Sequence, residues 1–106
     1  MAATLQVISG IVVLNKETGS AEVDFNEGII TGDVDADDSD VRGPRRDFRS
    51  VPHVLVSPSR LTLSTHDNTA YSITRSVTSE KLMIEWKIDS AGLKLQIDFL
   101  VIGEPR

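Results

Sequence analysis

A chain of 106 residues, 40% hydrophobic and 25% charged, has the size and composition of one globular domain. It has no cysteine, which excludes a disulfide framework and any cysteine-based zinc site and fits a reducing compartment. Its net charge of −5 disfavours non-specific binding to nucleic acid.

The opening residues Met1 to Gly10 lack a basic stretch, and Gln6, Ser9 and Gly10 interrupt their apolar run. No signal peptide is expected there. No apolar segment reaches the roughly 18 residues of a membrane span, so membrane insertion is not expected either. The chain reads as soluble, whether cytoplasmic, released or virion-associated.

A first strand is predicted over 5–14, then the turn Lys16-Glu17-Thr18-Gly19 and a second strand over 20–25. Residues 26–46 follow as one long connection. From Glu17 to Val41 there are nine acids and no base, after which come Arg42, Arg45, Arg46, Arg49 and Arg60 against a single Asp47. Such charge runs face water, although an acidic arm beside a basic one can also fold back or meet a neighbouring subunit.

Further strands are predicted over 51–57, 60–64, 70–78, 81–88 and 93–103. Turn signals separate them at Ser57-Pro58-Ser59, His66-Asp67-Asn68, Ser79-Glu80 and Asp89-Ser90-Ala91-Gly92. The last two strands alternate cleanly. Leu82, Ile84, Trp86 and Ile88 share one parity, as do Leu93, Leu95, Ile97, Phe99 and Val101. Period two means strands with one buried side, and Trp86 falls in the core row. No stretch has helical periodicity with caps. The prediction is an all-β fold over residues 1–106, an antiparallel six- to seven-stranded β-sandwich.

Two strand features point to association. Arg75 is in phase with the apolar Tyr71, Ile73 and Val77. Leu100 and Ile102 break the final alternation, leaving that strand apolar on both faces, as a core under a long loop or an oligomer contact requires.

From Phe48 onward the order of features resembles the H-type lectin domain, the small β-sandwich of snail agglutinins and discoidin C-terminal domains. Phe48 precedes the Pro-containing strand Pro52-His53-Val54-Leu55-Val56-Ser57. Leu61-Thr62-Leu63 leads to a polar turn ending at Asn68, and an alternating strand ends in Val77-Thr78. Leu82 and the closing Phe99-Leu100-Val101-Ile102-Gly103 complete the pattern, and Ser9-Gly10 resembles the family's opening.

The resemblance implies a six-stranded sandwich that forms a homotrimer and binds N-acetylgalactosamine- or galactose-type glycans between subunits. It implies an Asp from the N-terminal loop, an Arg just after the Asn-containing turn, and a His beside a Trp. Here Thr69 and Ala70 follow Asn68, and Lys87 follows Trp86, so the last two roles are altered. The carbohydrate-binding candidates are Asp38, Asp40, Asp67, Asn68, Lys87 and Asp89. Loop carboxylates and amides suit vicinal hydroxyls, although Asp and Asn also serve turns.

Other chemistry finds little footing. The run Asp33-x-Asp35-x-Asp37-Asp38-x-Asp40 invites calcium, but an EF-hand counted from Asp33 would have Asp38 for Gly and Pro44 for Glu. No metal or cofactor is expected. His66 and Asp67 are adjacent without a third orienting group, and His53 lacks metal-ligand spacing, so no enzyme is expected. The expected function is a lectin-like adhesion module. The alternative is a structural subunit of a phage or surface appendage with the same fold and no sugar site.

Overall fold

The computed structural model describes residues 4–60, 71–88 and 95–106. Among these residues eight strands occur in the order β1 (Gln6–Val13), β2 (Thr18–Asp24), β3 (Ile29–Gly32), β4 (Asp40–Arg42), β5 (His53–Arg60), β6 (Tyr71–Val77), β7 (Lys81–Ile88) and β8 (Leu95–Gly103). They form two four-stranded antiparallel sheets, ordered β4-β1-β8-β5 and β3-β2-β7-β6. No helix occurs among the described residues. The sandwich expected from the alternation is the fold found.

The extra strands come from the long acidic connection. After β2, the Asp24 carboxylate accepts the N–H groups of Asn26 and Glu27, and the Gly28 N–H donates to the Asp24 carbonyl. This Asp-headed turn sends Ile29–Gly32 back along β2 as a hairpin. Farther on, Asp40–Arg42 pairs with Ser9–Ile11 at the edge of the first sheet.

A second difference lies at Ser57-Pro58-Ser59, read as a turn but found inside β5. Among the described residues β5 is an edge strand bonded to β8 alone, so a missing N–H at Pro58 is tolerated there. The predicted strand 60–64 joins β5 at Arg60, and the rest of it lies outside the described residues. So do the turns His66-Asp67-Asn68 and Asp89-Ser90-Ala91-Gly92.

The core lies between the sheets, where the alternating rows meet. Ile8 and Val12 of β1 and Ile97, Phe99 and Val101 of β8 face Ala21, Val23, Leu82, Ile84, Trp86 and Ile88 of the second sheet, all buried. The Trp86 indole N–H donates to the Lys16 carbonyl at 3.0 Å, which satisfies its polar group at the rim. At the opposite end, Phe25 and Phe48 meet edge-to-face with centroids 5.1 Å apart at 85°. Phe48 is also anchored through its backbone N–H to the Ser79 carbonyl at 2.8 Å. This aromatic pair closes that end of the core.

Truncating Phe25 to Ala is expected to destabilise the chain by about 3–5 kcal/mol, since a fully buried ring and its stacking partner both lose contacts. Urea denaturation of Phe25→Ala against the parent measures it. A loss below about 1 kcal/mol would show that the pair does not seal the core.

Candidate binding groove on the outer face of the first sheet

The acidic connection is stitched to the strands beside it. The Asn15 N–H donates to the Asp33 carbonyl, and the Asp33 N–H to the Ser20 carbonyl. The Asp35 N–H donates to the Val13 carbonyl at 2.8 Å, while the Val13 N–H donates to Ser39 Oγ at 3.0 Å. Residues 35–39 thereby cap the end of β1 and bury the outward-pointing Val13. A turn within this segment is closed by the Asp38 and Ser39 N–H groups on the Asp35 carbonyl.

Asp33 locks the base of the segment. One carboxylate oxygen accepts the Ser20 N–H at 3.1 Å, and the other meets Lys16 Nζ at 3.1 Å. The hydrogen bond from Ser20, followed by the Lys16 ammonium, holds the Asp33 carboxyl below its ordinary value. Gly19 makes the arrangement sterically possible, because a Cβ there would stand 2.6 Å from the Asp33 carboxylate.

β4 carries the segment onto the outer face of the first sheet. Strand pairing aligns Ile11 with Asp40 and with Asp98, and Ser9 with Arg42 and with Leu100. Ser9, Gly10, Ile11, Asp40, Arg42 and Asp98 border a shallow groove of about 300 Å³, with Phe99 beneath. Arg42 Nε donates to Asp40 Oδ2 at 2.8 Å, and Gln96 Nε2 donates to Asp98 Oδ1 at 2.6 Å. Gly10 is needed here, since a Cβ would collide with the Asp40 carbonyl and approach the Phe99 ring to 2.8 Å. The groove thus offers two carboxylates, a guanidinium, a hydroxyl and the half-buried Ile11. Those are acceptors, donors and an apolar ledge on a strand scaffold.

Of the sequence candidates, Asp40 lines this groove and Asp38 stands exposed in the turn before it. Lys87 lies elsewhere. It is exposed between the buried Trp86 and Ile88 and pairs with Thr18 and Ser72, so it points from the outer face of the second sheet. The sandwich separates it from Asp40, with sheets that pack about 10 Å apart. Asp67, Asn68 and Asp89 lie outside the described residues. Asp98, Arg42 and Ser9 were not among the candidates. Asp98 sits on the polar parity of a clean alternating run, the signal that marked it as outward-facing.

Among the described residues, no group of three His, Asp or Glu side chains converges to hold a metal ion, and no helix is long and apolar enough to cross a membrane. In comparison with known proteins, no family model, curated protein or solved structure matches this chain.

The depressed carboxyl of Asp33 makes the latch pH-dependent. Its folded value lies below the unfolded one, so its stabilisation is complete above about pH 4 and is lost as the pH falls through the folded value. Asp33→Ala is expected to lower the urea midpoint at pH 7, with the gap to the parent narrowing below about pH 4. A gap unchanged between neutral and acid pH would remove the charge from the account.

Proposed function

We propose that this chain is a non-catalytic carbohydrate-binding module of the H-type lectin kind, working as a homotrimer on galactose- or N-acetylgalactosamine-type glycans. The observation that carries this reading is the groove in which Asp40, Asp98, Arg42 and Ser9 surround Ile11 on a continuous strand scaffold. Carboxylates accept from sugar hydroxyls, the guanidinium donates, the serine hydroxyl donates or accepts, and Ile11 offers an apolar surface to a ring face. A single shallow groove binds weakly. Three copies on one assembly would gain avidity towards clustered glycans.

The order of strands supports the same reading. Setting aside the short β3 and β4, the remaining strands form two three-stranded sheets, the six-stranded plan that the resemblance implies.

The second reading is a structural assembly subunit with this fold and no sugar site. Two observations favour it. Thr69 and Ala70 stand where the resemblance calls for an arginine, and Lys87 is held away from the groove. Leu5, Val7, Val51 and Leu55 also remain 45–67% exposed, apolar side chains that an assembly contact would cover.

A glycan array followed by calorimetry separates the two. A charged hydrogen bond to a sugar contributes about 1.5–3 kcal/mol, so Asp40→Ala and Asp98→Ala should each weaken binding about tenfold or more. Lys87→Ala should leave it unchanged. Unaltered affinity in both aspartate variants would move the site elsewhere, and no binding by the parent chain would favour the assembly subunit.

A further inference from the structure

The charges that line the groove do not balance. Asp40 and Asp98 stand against Arg42 alone, so one negative charge is left over. The Arg42 guanidinium is committed to Asp40, with Nε 2.8 Å from Oδ2. Asp98 meets a neutral group instead, the Gln96 side-chain amide at 2.6 Å. It is half-buried and makes no ion pair among the described residues.

The neighbouring strands bring Asp98 no cation. Ile11 of β1 flanks it on one side and Ser57 of β5 on the other. His53 of β5 pairs with Ile102, two ladder rows farther along and about 13 Å away. The turn before β4 adds only acids: the half-buried Asp35 and the exposed Asp37 and Asp38, none of them ion-paired among the described residues. The field at the groove is therefore negative. A neutral sugar would satisfy the hydrogen-bonding capacity of Asp98 and leave its charge uncompensated, whereas an ammonium would satisfy both.

The ladder separates the two carboxylates by one residue. Ile11 is the cross-strand neighbour of both Asp40 and Asp98, so their Cα atoms lie two strand spacings, about 9–10 Å, apart. A pyranose ring laid on Ile11 presents substituents to both flanks. The Asp40–Arg42 flank joins an acceptor to a donor and suits hydroxyls, whereas the Asp98 flank is an acceptor with a free charge. We propose that Asp98 makes the groove select amino sugars carrying a free ammonium, galactosamine-type units over acetylated or neutral ones. The inference rests on the carbohydrate reading above and adds the charge of the ligand. An acetylated nitrogen still donates one N–H to Asp98, but a bond charged on both sides is the stronger.

Calorimetry on the full chain tests this with galactosamine, N-acetylgalactosamine and galactose at about pH 6, where an amine of this kind holds its proton. Galactosamine should bind at least about tenfold tighter than either of the others. The preference should shrink as salt is raised to about 0.5 M. Asp98→Asn keeps the shape and one acceptor oxygen, and it should bring the three affinities together. Arg42→Gln leaves Asp40 unneutralised and should widen the preference, an effect that a folding defect would not produce. Both positions face outward, so each variant is expected to retain the β-sheet circular dichroism of the parent. Equal binding of galactosamine and galactose by the parent would overturn the inference and leave the carbohydrate reading standing. So would a preference that survives Asp98→Asn. A parent that binds none of the three sugars defeats the carbohydrate reading and this inference with it.

Discussion

The pairing of β1 with β8, from Gln6 with Gly103 to Val13 with Gln96, is the constraint on which the rest of the molecule depends. β8 sits inside its sheet with β5 on its other flank, so its register sets that of three strands. In this register Ile97, Phe99 and Val101 point inward with Ile8 and Val12, while Asp98 points outward with Ile11. A slip of one residue would drive Asp98 into the core and expose Phe99. The core and the groove are therefore two faces of one ladder. A groove on such a scaffold needs little ordering when a ligand arrives, which limits the entropy lost on binding.

The acidic segment is held by a different balance of forces. Its ion pairs, Lys16 with Asp33 and Arg42 with Asp40, are largely exposed, and pairs of that kind contribute little after screening. The backbone bonds from Asp35 to Val13 and from Asp33 to Ser20 are less sensitive to salt, and they fix the path of the chain. Charge repulsion among the acids opposes this path, so the segment depends on its docking to β1 and β2. The arrangement leaves Asp37 and Asp38 outward while Asp40 turns onto the sheet.

Much of the fold was legible in the sequence because burial on one face writes a period of two. Leu82 to Ile88 and Ile97 to Phe99 carry it, and all their inward positions are buried. β3 and β4 were not legible. They are four and three residues long, too short for a period to show, and the acids around them mask Ile29, Ile30 and Val41. Pro58 misled because proline marks turns, whereas an edge strand accommodates it. The site was less legible than the fold. Asp40 was recognisable as a carboxylate in a long loop, but its neighbours Ser9 and Asp98 lie 31 residues before it and 58 after it. Only the strand order brings them together, and no local spacing encodes that.

The central claim, that ligand recognition belongs to the outer face of the β4-β1-β8 ladder, is tested most directly by amide chemical-shift mapping. Isotope-labelled chain would be titrated with N-acetylgalactosamine and followed by heteronuclear NMR. The account predicts that the largest shifts cluster at Ser9, Gly10, Ile11, Asp40, Arg42 and Asp98, with Lys87 and Glu85 on the far sheet unmoved. Shifts centred on the second sheet, or a spectrum unchanged at saturating sugar, would contradict it.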